Sequence, residues 1–215
     1  MRFNILVIIC LVTLVACGGG GGGGGGASSW TNDINNVPTC SDTGTSYQTT
    51  EYNAMAAGYS NNGLRTVCAS TAYANGATGG TDVKIGINDT GIDLQSDGDI
   101  DHQEFGSVGS TNSRIVLGYN SDVIRNDNIP QDEDGHGTHV AGLVGADKDD
   151  VGMHGVAYNS TLYPIKTLTP RGTPASVAGV YTVAWGFYLT DYYNLDILNN
   201  SWGYAESEIG VTCDS

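Results

Sequence analysis

The sequence predicts an α/β fold with a mostly parallel central sheet, and three stretches carry that prediction. In V-K-I-G-I-N-D, Val83, Ile85 and Ile87 alternate with Lys84, Gly86 and Asn88, the two-residue period of a strand with a packed face. After His136, Val140, Leu143 and Val144 recur at helical spacing,. Farther on, Val177, Val180, Tyr181, Ala184 and Tyr188 mark a helix near 175–189, and Leu195–Leu198 is a further apolar run. Strand and helix thus alternate in the β, α, β, α order of a largely parallel sheet.

Each element places a polar group with chemical use. Asp89 ends the first strand, and Thr90 and Gly91 supply a turn signal directly after it,. The carboxylate is therefore expected at the crevice end of the sheet, where α/β folds bind ligands. The plain alternative is that Asp89 caps a turn. His136 begins the helix, whose interior contains Gly142 and Gly145, each costing about 1 kcal/mol relative to alanine. Two such glycines imply a helix seated closely on another backbone. An imidazole at its start can serve as general base if a carboxylate fixes its tautomer. His139 is expected to be buried and hydrogen-bonded. A zinc site on the H-G-T-H pair is not expected, because no third ligand of the usual type is evident. Pro164, inside L-Y-P-I-K, is awkward in a central strand and points to an edge, a bulge or a late strand start. A short helix at 69–76 is expected to end at Gly76.

The segments I-N-D-T-G-I-D (87–93) and D-G-H-G-T-H-V-A-G (134–142), in the order Asp then His, resemble the subtilisin-type serine peptidases, the subtilases,. The likeness continues through V-G-M-H-G-V-A-Y-N-S-T-L-Y-P-I-K-T-L at 151–168 and I-L-N-N-S-W-G at 197–203, so it runs from about Thr71 to Gly203. It implies a three-layer subtilisin-like fold and peptide-bond hydrolysis through an Asp/His/Ser triad. Asp89 corresponds to the triad carboxylate and His136 to the general base. Ser201, Trp202 and Gly203 correspond to the S-x-G segment that flanks the specificity pocket, and Arg171–Pro174 lies where the opposite substrate-pairing strand would begin. The family's oxyanion-hole Asn and its nucleophile, in G-T-S-x-x-A-P, have no counterpart among the 215 residues. The fold is accordingly expected to be incomplete in this chain and the 215 residues inactive by themselves. A second reading is a noncatalytic surface protein that keeps the fold for binding, with Asp89 and His136 as relics.

The amino terminus reads as a secretory leader: Arg2 precedes the apolar run Ile5–Val15, which is too short to span a bilayer,. It ends in L-V-A-C at 14–17, which resembles the bacterial lipobox, with Cys17 lipidated and first in the mature chain. Nine glycines, Gly18–Gly26, follow as a flexible tether,. Gly18, rather than Asp, after the cysteine implies the outer membrane or surface of a Gram-negative cell. The expected organisation is a leader at 1–16, lipidated cysteine and tether at 17–29, linker and arm at 30–70, and the amino-terminal part of the peptidase domain at 71–215. Outside the cytoplasm Cys40 and Cys68 are expected to pair, leaving Cys213 to a partner beyond Ser215.

The formal charge of −15, from 23 acids against 8 bases, argues against a nucleic-acid partner because phosphates would go unneutralised. Protein or peptide substrates are expected, with a membrane met through the lipid anchor. Residues 93–104 match the EF-hand calcium loop at five positions, but Gln95 departs from it, and a strand and turn precede it where a helix is required,. The family resemblance accounts for this stretch better: H-Q-E-F at 102–105 is similar to a family segment whose acid binds calcium. On that basis Glu104 and Asp149 are candidate structural calcium ligands, and Asp97, Asp99 and Asp101 form a solvated acidic loop. No catalytic cofactor is expected.

Overall fold

A computed structural model describes residues 8–9, 41–54, 63–121, 128–168 and 178–201. Its sheet contains five strands, β1 (Ile8–Ile9), β2 (Lys84–Asp89), β3 (Tyr119–Asn120), β4 (Thr161–Lys166) and β5 (Ile197–Asn199), all parallel and ordered β1-β5-β2-β4-β3. Three short helices, α1 (Thr50–Ala54), α2 (Gly63–Thr66) and α3 (Ala69–Ala74), precede β2. Helix α4 (His136–Gly145) leads into β4, and α5 (Ala178–Tyr192) leads into β5.

The two long helices cover opposite faces of the sheet. Ile85, Ile87 and Leu162 pack with Val140 and Ala141 of α4. Tyr163, Ile165 and Leu198 pack with Leu189 of α5 and with Leu195. The three layers of an α/β domain follow, as expected. β2 goes beyond the one packed face its alternation announces. Asn88 is as buried as Ile87, because a central parallel strand has a helix on each side. Gly86 is small for that reason: a Cβ there would lie 2.5 Å from a methyl of Leu195.

Several local expectations change. In α4 the buried stripe is Gly137, Val140, Ala141 and Gly145, while Leu143 is exposed. His139 is exposed as well, on the outer side of the helix, and is not the buried side chain its neighbours suggested. Close backbone approaches are made at both ends of α4, by Gly137 against Gly91 and by Gly145 against Gly155, whose Cβ would lie 2.4 Å from the Gly145 nitrogen; only Gly142 faces open space. α5 ends at Tyr192 rather than 189, with Gly186 and Leu189 facing inward and Tyr188 exposed; residues 171–177 lie outside the described residues.

Pro164 sits in an interior strand, between β2 and β3, and not at an edge. The Leu162 N–H bonds the Arg114 carbonyl on the β3 side, so by alternation the Pro164 nitrogen turns the same way. There, residues 116–118 belong to no strand, and the missing donor falls in that gap.

The arm before β2 is more ordered than its composition announced. Tyr52, Leu64, Ala69 and Tyr73 form a small core of their own, and Asp42 accepts hydrogen bonds from the Tyr52 and Ser70 hydroxyls. Helix α3 stops at Ala74 with Asn75 as its cap, and Gly76 follows at φ +99°, as a terminating glycine should. Cys68 is disulfide-bonded; Cys40, like Cys17 and Cys213, lies outside the described residues.

Candidate active site

Asp89, the last residue of β2, is completely buried. Its Oδ1 accepts the Thr90 N–H at 2.8 Å and lies 2.8 Å from Nδ1 of His136, the first residue of α4. An ionised carboxylate only accepts, so Nδ1 carries the proton and Nε2 keeps a free lone pair. The carboxylate thus does cap its own turn, and it holds the imidazole with the same oxygen. Its side chain wholly buried, Asp89 meets a His136 ring that is 46% exposed, so the base is open to a reacting group while its orienting acid is shielded from water. Burial lifts Asp89 above the ordinary carboxylate range, and the hydrogen bonds from His136 and Thr90 oppose that lift.

The loop ahead of α4 explains how His136 is held. Asp132 Oδ1 accepts the N–H groups of Asp134 and Gly135, each at 3.0 Å, and its Oδ2 accepts the N–H and hydroxyl of Thr138 at 2.8 and 2.6 Å. These are the donors that a helix start leaves without partners. Burial works against the charge of Asp132, yet the Thr138 hydroxyl and the loop N–H groups bring it below the ordinary carboxylate range. Lys166, buried at the end of β4, donates to the Gln131 carbonyl at 2.6 Å and pairs with Glu133. Neither Asp132 nor Lys166 stood out in the sequence. An acid shortly before a helix start is the signal that marks Asp132, but Glu133 and Asp134 beside it disguise which acid caps.

β5 brings Ser201, the first residue of the S-W-G segment, toward the same end of the sheet. Ser201 Oγ donates to Asn199 Oδ1 at 2.8 Å, and Asn88 Nδ2 donates to Asn200 Oδ1 at 2.8 Å, which ties the end of β5 to that of β2. Trp202 and Gly203, with Arg171–Pro174, lie outside the described residues.

The candidate calcium ligands meet one loop. Glu104 Oε2 accepts the Met153 N–H at 3.0 Å, and Asp149 Oδ1 accepts that of Val151 at 3.1 Å. Glu51, which the sequence reading passed over, accepts the Asp149 N–H at 3.1 Å through Oε1, while its Oε2 is buried without a partner. Hard oxygen donors and an orphaned carboxylate oxygen match calcium in kind. No three His, Cys, Asp or Glu side chains among the described residues form a group that could hold a metal ion on their own, so backbone oxygens would have to complete a shell. Asp97 and Asp101 are exposed, and Asp97 accepts the Asp99 N–H to close its turn; a solvated loop is what this geometry provides.

Known proteins share much of this sequence. The model of the subtilase family, peptidase family S8, matches residues 80–214. The chain is 34% identical over 124 residues to subtilisin DY of Bacillus licheniformis, covering 58% of this chain and 38% of that protein. It is 30% identical over 172 residues to an extracellular serine protease of Serratia marcescens, covering 74% of this chain and 12% of that protein. Among solved structures, the MycP3 protease of a type VII secretion system aligns with a TM-score of 0.46 and 20% identity, over 66% of this chain and 38% of that one. The chain thus spans well under half the length of these relatives. With the family's model matching more than half of its residues, including both Asp89 and His136, this chain belongs to the subtilase family.

Proposed function

We propose that the protein is a serine endopeptidase of the subtilisin type, acting outside the cytoplasm on protein or peptide substrates. The contact between His136 Nδ1 and Asp89 Oδ1 carries this reading. His136 Nε2 takes the hydroxyl proton of a serine as its Oγ bonds to the scissile carbonyl carbon, then delivers that proton to the amine as the C–N bond breaks. Water cleaves the acyl-enzyme by the same proton route. Asp89 stays ionised and orients the ring, and the Ser201–Gly203 backbone pairs with the substrate chain. Because no G-T-S-x-x-A-P occurs among the 215 residues, hydrolysis is assigned to the full gene product, and the 215 residues alone are inactive in this reading. A serine-directed fluorophosphonate is expected to label the full product stoichiometrically and the 215-residue chain not at all. Failure to label the full product would overturn the proposal.

Two further features belong to the same reading. The enzyme is anchored through Cys17, and the nine-glycine tether lets the domain stand off the membrane,; processing there removes β1 and bares the β5 edge. Radioactive palmitate fed to expressing cells is expected to label the wild-type protein and not Cys17→Ser; equal labelling of the two contradicts the anchor. Calcium is held by Glu104 and Asp149, with backbone oxygens completing its shell, and steadies the 149–153 loop. Chelation of the full protein is expected to lower its melting temperature by several degrees, about what 1–2 kcal/mol does to a domain of this size. Glu104→Gln is expected to abolish that response, and an unchanged melting temperature in the wild type argues against the site.

A further inference from the structure

The N–H groups of the two residues beside His136, Gly135 and Gly137, are both tied to a single carboxylate. The Gly135 N–H bonds Asp132 directly, at 3.0 Å. The Gly137 N–H bonds Thr90 Oγ1 at 2.8 Å, and that hydroxyl donates to Asp132 Oδ1 at 2.9 Å. Thr90 also follows Asp89 in the chain and donates its own N–H to the Asp89 carboxylate. One threonine therefore references the acid and the base of the site to the same point. Asp132 itself has little freedom: it is 7% exposed, and its N–H bonds the Ile92 carbonyl at 3.0 Å. The Lys166 ammonium holds the preceding carbonyl, that of Gln131.

We infer that Asp132 is a positioning residue for catalysis, acting through Thr90 to lock the start of α4 onto the end of β2 at the separation that keeps His136 on Asp89. The inference rests on the peptidase reading above. Asp132 accepts from five donors with two oxygens, more than turn closure demands. Two of those donors are the Thr138 hydroxyl and N–H, within the first turn of the helix, so the carboxylate fixes the rotation of α4 about its axis as well as its start. That rotation sets where the imidazole points. Asp132 touches neither reacting atom, so its effect should appear in turnover and not in substrate binding.

The test uses the full protein with Thr90→Val, Thr90→Ser and Asp132→Asn, comparing kcat and KM on a peptide substrate. Valine matches threonine in shape but loses both hydrogen bonds of the hydroxyl, whereas serine keeps them. The expected result for Thr90→Val is a kcat lowered about tenfold or more with KM unchanged within about twofold, since small misplacement of a reacting group is costly while ground-state binding is not affected. Thr90→Ser should restore most of the loss, and Asp132→Asn, whose amide turns a donor toward Thr138, should fall at least as far as valine. If Asp132→Asn does not fold, the valine and serine pair decides. A wild-type kcat in Thr90→Val, an equal loss in both Thr90 variants, or an effect confined to KM would each overturn the inference while leaving the peptidase reading in place. A wild-type protein that the fluorophosphonate does not label removes both.

Discussion

Replacing Asp89 with Asn in the full protein is expected to lower kcat about ten-thousand-fold, the size of effect seen when an orienting carboxylate becomes an amide and the imidazole takes the wrong tautomer. The geometry requires it. An amide nitrogen presented to Nδ1 cannot accept its proton, so the ring would reverse its protonation and lose the free lone pair at Nε2. Stability should move the other way or not at all. Burial raises Asp89 above its ordinary value, so the folded state binds its proton more readily than the unfolded chain does. The stability linked to that proton is complete below the ordinary carboxylate pKa of about 4 and is lost as pH rises through the folded value. Above the folded value the wild type carries a buried charge that the Asp89→Asn variant lacks. Thermal melts across a pH series check this: the stability of the variant relative to the wild type should rise with pH and be least in acid,. A variant that retains substantial turnover would show that Asp89 is only a turn cap.

Gly137→Ala carries the second large effect. A Cβ at this position would strike the Gly91 carbonyl and lie 2.9 Å from the Gly91 nitrogen and 3.0 Å from Thr90 Oγ1. These are mostly backbone atoms with no rotamer to yield, so α4 has to lift from the end of β2. Overpacking of this kind costs about 1–3 kcal/mol, and the accompanying shift of His136 is expected to cost about a hundredfold in kcat. Gly142→Ala is the matched control, because nothing lies within 4 Å of its Cβ and alanine is favoured in a helix by about 1 kcal/mol. Denaturant midpoints of the two variants should therefore move in opposite directions, and only Gly137→Ala should lose kcat. A neutral Gly137→Ala would mean that α4 is not seated on the Gly91 backbone.

The parts of this architecture that the sequence revealed are those with a period or a motif. The alternation in Val83–Asn88 located β2, the helix start at His136 was placed correctly, and the two motif segments around Asp89 and His136 named the pair that the fold brings to 2.8 Å. What it hid depends on distances through space. Gly137 reads like any glycine of a G-H-G-T-H run until Gly91, far away in the chain, is found beneath it. Leu143 and Tyr188 have the right spacing but the wrong phase, since a helix of mixed apolar and glycine residues offers more than one stripe to the sheet. Pro164 misled because proline is barred from a central strand only where its nitrogen must donate to a paired strand, and here it faces residues 116–118, which belong to no strand,. Glu51 lay in a segment without periodicity, and only the folded arm shows it reaching the loop at Asp149.

The ring of His136 offers the most direct measurement. In ¹⁵N-labelled full protein at a pH where the imidazole is neutral, Nδ1 should carry the proton, and that proton should appear far downfield, protected from exchange by the Asp89 carboxylate and absent from Asp89→Asn. A neutral ring protonated at Nε2, or a spectrum that Asp89→Asn leaves unchanged, would contradict the account.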